Sequence, residues 1–209
     1  MRMRRSKHVE EHLASYPGLI IQPEELTPDF FEGEVHMEIG MGKGGFLHQK
    51  ASHYPEINFL GIDKNIMAIS KSRLKFDGLS NVKIIHHSLD KIMEHLEDGS
   101  IDVIYLNFSD PWPKSKHYKR RLTYRDMLAL YAKLLKTGGE VHVKTDSESL
   151  FEFSLEEVKE SHFDILKQTR NLYDEPIFKD HFPTEYERKF VAKGLPIYGL
   201  LLKLGEKHD

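Results

Sequence analysis

The chain has 209 residues, 39% of them hydrophobic and 30% charged, a composition that excludes a disordered protein and gives enough length for a sizeable core. It contains no cysteine, which excludes disulfides, thiolate metal sites and cysteine nucleophiles and fits a reducing cytoplasm. The formal net charge is -3, and no apolar stretch is long enough to cross a bilayer, so neither a membrane protein nor a uniformly basic nucleic-acid binder is expected.

Residues 1–34 read as a basic, polar N-terminal extension with a helix near Val9–Tyr16 and turns at Pro17-Gly18, Pro23 and Pro28. No apolar core follows its cations, so it is not a secretory signal. Residues 35–209 read as one domain. VHMEIG (35–40) is a strand ending at Gly40, GMGKGG a glycine-rich turn, and FLHQKASHY (46–54) a helix. INFLGID (57–63) is a second strand, KNIMAISKSRLKF (64–76) has helical apolar spacing, VKIIHH (82–87) is a third strand and KIMEHL (91–96) a short helix. IDVIYLNF (101–108) is the longest apolar run, as expected of a central strand buried on both faces. A helix over Tyr124–Leu135 takes Thr123 as its N-cap, with Gly138-Gly139 past its end. EVHVKTD (140–146) is a fifth strand, and SESLFEFSLEEVKES a helix capped by Ser147. FDILKQTR and PIYGLLLKL read as closing strands around a loop-rich segment that holds FPTEYERKF. Such alternation predicts an α/β fold with a mostly parallel sheet covered on both faces.

Gly40, Gly42 and Gly45 fit G-x-G-x-x-G between a strand and a helix, the pattern of a nucleotide-binding turn, and Asp63 ends the next strand where a ribose would lie. Glycines alone do not choose the ligand. Glu38, two residues before Gly40, would oppose a pyrophosphate and attract the ammonium and sulfonium of S-adenosylmethionine, by on the order of a few kcal/mol in a partly buried cleft.

A second peculiarity is NFSDPWPKSKHYKRRLT (107–123). Pro111 and Pro113 restrict Asp110 and Trp112 to extended conformations, which stiffens the turn after the central strand. Lys114, Lys116, Lys119, Arg120 and Arg121 follow without an acid, while Arg2, Arg4, Arg5 and Lys7 form an equally acid-free start. Two cationic patches on an otherwise acidic chain attract a polyanion locally and repel it elsewhere. In an open α/β sheet, ligands gather at the carboxyl ends of the strands, so donor, base and nucleic-acid backbone are expected to meet around this turn.

The pieces EIGMGKGG, LGID, YLNFSDPWPKSKHYKRRLTY, VHVKTD and TEYERKF, in that order, resemble the bacterial tRNA guanine-N7 methyltransferases. The resemblance implies a Rossmann-like class I methyltransferase fold, with a seven-stranded sheet whose last strand is antiparallel. It implies methyl transfer from S-adenosyl-L-methionine to N7 of a guanine in the tRNA variable loop, by a cytoplasmic monomer or homodimer without metal. Carried over by position, Glu38, Gly40, Gly42, Asp63, Ser88 and Asp110 correspond to cofactor contacts. Lys114, Asp146, Thr184, Glu185, Tyr186 and Glu187 correspond to substrate contacts. Lys116, His117, Tyr118, Lys119, Arg120 and Arg121 correspond to the tRNA-binding loop. Asp110 and Asp146 carry the catalytic expectation, with Asp146 holding the guanine. Ser88 stands where many members have Asp, and Asp90 lies two residues on.

Two other readings stay open on the residues themselves. A nicotinamide-dependent oxidoreductase would use the same glycine turn, and a non-catalytic RNA-binding module would use the same cations. His8-Val9-Glu10-Glu11-His12 matches an H-x-x-E-H zinc pattern but lies in a short polar segment without an evident third ligand, and is read as a surface helix. His86 and His87 complete no metal set either.

Overall fold

Four strands of the first half of the chain pair in parallel: β1 (Ile20–Ile21), β2 (Val35–Ile39), β3 (Asn58–Ile62) and β4 (Val82–Ile85), in the spatial order β1-β4-β3-β2. Every residue of β2 is buried, His36 and Glu38 included, so the apolar–polar alternation of VHMEI does not mark a face turned to solvent. The computed structural model describes Val9, Leu13 and residues 16–205. The cations of residues 2–7 and the histidines and glutamates of the H-x-x-E-H segment lie outside the described residues.

The chain divides into two compact units, Met1–Glu97 and Asp98–Asp209. In the first unit the strands are joined by helices α1 (Gly45–His53), α2 (Ile66–Ser72) and α3 (Leu89–Ile92), the last two each continued by a 3-10 turn. Phe59, Val82 and Ile84 of the sheet pack with Leu47 and Ala51 of α1, Ile69 of α2 and Phe76. Val9 and Leu13, four residues apart and helical, are buried in that same cluster. Asn81 binds three carbonyls, of Ala51, Tyr54 and Ile57, and so ties the end of α1 to the start of β4.

The second unit contains β5 (Ile101–Asn107), α4 (Arg125–Leu134), β6 (Leu135–Thr145), α5 (Glu148–Lys159), β7 (Phe163–Thr169), α6 (Glu185–Val191) and β8 (Tyr198–Leu204). β5 and β6 are parallel, and β8 inserts antiparallel between β6 and β7. The fold is therefore α/β with mostly parallel strands and an antiparallel final one. Among the described residues the seven expected strands are joined by an eighth, the two-residue β1, too short to carry a pattern.

Three local expectations are corrected. Thr123 does not cap α4: the helix begins two residues later with Tyr124 as its N-cap, and Thr123 is buried, accepting a hydrogen bond from Ser154. The first-turn N–H of Arg125 is met instead by Glu157 Oε2 of α5, at 2.9 Å, a tertiary contact that no local pattern announces. The fifth strand starts at Leu135 rather than Glu140, so α4 runs directly into β6 and Gly138-Gly139 lie within the strand. TEYERKF is not loop but the start of α6, closed by a capping box in which Thr184 accepts from Glu187 N and Glu187 accepts from Thr184 N. Ser147 caps α5 as expected, accepting from Leu150 N at 3.3 Å.

Candidate active site

In the first unit the glycine turn leaves β2 at Gly40, whose N–H donates to Ile62 O at 2.8 Å. Gly40, Gly42 and Gly44 have φ of 79°, 57° and 66°, a left-handed run open to glycine at little cost. Asp63, just past β3, anchors this turn: it accepts Gly42 N at 2.7 Å through Oδ2 and Asn65 N at 2.7 Å through Oδ1. The space that a Cβ at Gly40 or Gly42 would enter is empty to 4 Å, whereas one at Gly44 would strike Phe76 at 2.8 Å. The turn is thus packed on one side and open on the other. Glu38, paired in register with Gly61, is only 2% exposed. Two carboxylates, Glu38 near the end of β2 and Asp63 just past the paired β3, thus belong to the strand ends that lead into and brace this bare backbone turn.

Ser88 stands at the N-cap of α3 and hydrogen-bonds the Asp90 carboxyl; that bond is the main cause holding Asp90 below its usual range. Ser88 thus orients the carboxyl of Asp90, two residues on.

In the second unit β5 ends at Asn107, and Phe108 and Trp112 both take left-handed backbone conformations, φ 52° and 43°. Trp112 is therefore not extended, although a proline follows it. Asp110 between them is exposed. Ser115–Arg120 forms a 3-10 turn on which Lys116, Tyr118, Lys119 and Arg120 are exposed and His117 is half-buried; Lys114, just before it, is exposed too. Arg121 turns inward, donating from Nε to Pro111 O at 2.9 Å and from Nη2 to Trp112 O at 3.3 Å.

Asp146 follows β6 and accepts the Tyr186 hydroxyl at 3.2 Å. The Tyr186 ring, 45% exposed, lies 5.1 Å from the Phe108 ring and 4.7 Å from Phe190. Burial and then the Asp146 charge raise the Tyr186 phenol, so it stays a donor. Glu187, one residue on, is fully buried. Its carboxylate is filled by protein groups: Lys144 Nζ at 2.8 Å, Tyr173 OH at 3.1 Å, His181 Nε2 at 2.7 Å and Thr184 N at 3.1 Å. The base contact expected of Glu187 has no acceptor facing outward to make it. Glu185 is exposed, as a substrate contact requires.

Residues 32–200 match the model of the family described as "Putative methyltransferase". The tRNA (guanine-N(7)-)-methyltransferase of Alkaliphilus oremlandii is 41% identical over 98% of this chain and 100% of its own length. Its counterparts in Streptococcus uberis and Staphylococcus epidermidis are each 41% identical, over 95% and 97% of this chain and 97% of theirs. The chain belongs to the tRNA (guanine-N(7)-)-methyltransferase family.

Family membership sets aside the nicotinamide-dependent reading of the glycine turn. The fold agrees with it. "Structure of an Antibiotic Related Methyltransferase" aligns with TM-score 0.57 at 22% identity over 99% of this chain and 97% of that one. "Crystal Structure of 16S rRNA Methyltranferase KamB" aligns with TM-score 0.60 at 13% identity over 98% and 96%. Among the described residues no group of three or more acidic or histidine side chains could hold a metal ion, and no helix is long and apolar enough to cross a membrane.

Sequence reasoning missed three residues around this methyltransferase's α6, Lys144, Tyr173 and His181, and the anchoring role of Glu187. One signal was present. T-E-Y-E is a capping box, which announces a helix start and assigns Glu187 to its own backbone. Nothing local identifies Lys144, a lysine inside a strand, as its partner.

Proposed function

We propose that this methyltransferase transfers the methyl group of S-adenosylmethionine to N7 of a guanine in the variable loop of tRNA. The observation that carries the donor assignment is Glu38, a carboxylate 2% exposed just ahead of an open glycine turn. It favours a cationic amino-acid or sulfonium group and opposes a pyrophosphate. Asp63 accepts Gly42 N of the turn through Oδ2 and Asn65 N through Oδ1, and keeps further lone pairs for a ribose diol. Ser88 with Asp90 offers a polar edge for the adenine, and Asp110 is a further donor contact.

The bound donor supplies an electrophilic methyl on sulfur. Guanine N7 carries an in-plane lone pair and no proton, so no side chain here need act as a base. Transfer of that methyl to N7 would leave positive charge on the guanine ring. The chain's own work is alignment, exclusion of water and placement of negative charge beside that ring. Asp146, oriented by the Tyr186 hydroxyl, is the carboxylate for that role. The exposed Tyr186 ring gives the base a flat wall, and Thr184 and Glu185 border it. Lys116, His117, Tyr118, Lys119 and Arg120 face the tRNA backbone, and Lys114, just before them, is a substrate contact.

Incubation with bulk tRNA and methyl-labelled S-adenosylmethionine, followed by nucleoside analysis, tests the proposal. Label is expected in N7-methylguanosine; tRNA binding without label would leave a binding module only.

A further inference from the structure

Two non-glycine residues flank Asp110 in the left-handed region, Phe108 at φ 52° and Trp112 at φ 43°. L-residues adopt that region rarely, and it persists only where neighbouring contacts over-determine it. At Phe108 those contacts are its N–H to Lys144 O at 2.8 Å and its ring against Tyr186. At Trp112 they come from the cationic run itself. Arg121 donates to both Pro111 O and Trp112 O, while its guanidinium carbon lies 4.3 Å from the centre of the Phe153 ring on α5. The Arg120 guanidinium lies 5.0 Å from the centre of the Trp112 ring, and the His117 ring 5.7 Å from it.

Those bonds require a planar fork: two divergent N–H groups on one rigid head reach two successive carbonyls, which a single ammonium does not reproduce. We propose that Arg121 is a positioning residue, one that holds the Pro111 and Trp112 carbonyls and thereby keeps the Asp110–Trp112 turn in its strained geometry for methyl transfer. The inference rests on the assignment of Asp110 to the donor site. The cations of the run then have separate roles. Lys116 and Lys119 meet the polyanion, and Arg121 ties the loop they stand on to the turn that carries Asp110.

Trp112 is the sole tryptophan of the chain, so its fluorescence reports this turn directly. The test measures acrylamide quenching of Trp112 in the ligand-free protein and the single-turnover rate at saturating donor and tRNA. The variants are Arg121→Lys, which keeps the charge and much of the stem, and Arg121→Met, which keeps the stem alone. Both are expected to change the quenching and to slow turnover by about tenfold or more, since small misplacements in an aligned site are costly. The Arg121→Lys variant is expected to keep the parental slope of tRNA affinity against salt.

If Arg121→Lys shows parental quenching or a parental single-turnover rate, the inference is overturned. It is likewise overturned if Arg121→Met leaves both at parental values and lowers the salt slope by about one, the signature of a plain phosphate contact. A Lys116→Ala, Lys119→Ala double variant examines the tRNA reading separately: it should lower the salt slope by about 1.5 while Trp112 quenching stays parental. An unmoved slope there would remove the loop's tRNA role without altering the Arg121 result.

Discussion

Lys144 Nζ lies 2.8 Å from Glu187 Oε2, with the two side chains 4% and 0% exposed. Lys144 also donates to Phe182 O at 3.0 Å, so it grips α6 and the segment that leads into it. Lys144 precedes Asp146 by two residues and Glu187 follows Tyr186 by one. The pair therefore sets the spacing at which the Tyr186 hydroxyl meets Asp146.

Removing one partner leaves a buried charge uncompensated, which costs about 3–5 kcal/mol. Lys144→Met is expected to lose stability of that order in urea denaturation. The Lys144→Met, Glu187→Leu double variant should recover a large part of it, because no lone charge then remains inside. A double variant no more stable than the single one would show that the charge is not the cause.

The same pair predicts acid sensitivity. Burial alone would raise the Glu187 carboxyl, but His181 and Lys144 outweigh it and hold it at about 2, against 4.5 ordinarily. A depressed carboxyl stabilises fully above its unfolded value and loses that contribution as pH falls through its folded value. The loss should fall between about pH 4.5 and pH 2 and amount to on the order of 3 kcal/mol. Urea midpoints at pH 6, 4 and 3 should decline for the parent and decline less for Glu187→Gln; equal declines would exclude Glu187 as the source. Tyr173, pushed up to about 12 by burial and then by the Glu187 charge, stays a donor throughout.

Tyr186→Phe keeps the ring and deletes the hydroxyl that orients Asp146. Because the hydroxyl bond is exposed, stability should change by less than about 1 kcal/mol, while the methyl-transfer rate falls roughly tenfold. Asp146→Ala should reduce the rate further. Normal methyl transfer with unchanged tRNA affinity in Asp146→Ala would place Asp146 outside the reaction.

Two glycines of the first unit should fail in different ways. A Cβ at Gly61 would lie 2.4 Å from Met41 Sδ and 2.7 Å from Leu47 Cδ2, so Gly61→Ala should cost about 1–3 kcal/mol in thermal or urea unfolding. A Cβ at Gly42 meets nothing within 4 Å but sits at φ 57° on the open side of the turn. Gly42→Ala should cost about 1 kcal/mol of strain and weaken S-adenosylmethionine binding by considerably more than Gly61→Ala does, as read by calorimetric titration.

What the sequence determined by itself was whatever depends on neighbours along the chain. Runs rich in apolar residues located strands β2 to β8, most plainly β5, whose IDVIYLN is the apolar run expected of a central strand, whereas β7 is largely exposed and mixed in composition. Glu38 and the glycine turn, at fixed spacing after a strand, indicated the donor's charge; the S-D-P-W-P-K run with its cations indicated a polyanion. Contacts between residues far apart in the chain were decided only by tertiary structure. Glu157 meets the first N–H of α4 from 32 residues away, and Lys144 finds Glu187 from 43. Arg121 folds back onto Pro111 and Trp112 although the cations before it in sequence are exposed. A charged side chain is drawn to whichever donors or acceptors packing brings within about 3 Å, and spacing along the chain does not encode that distance.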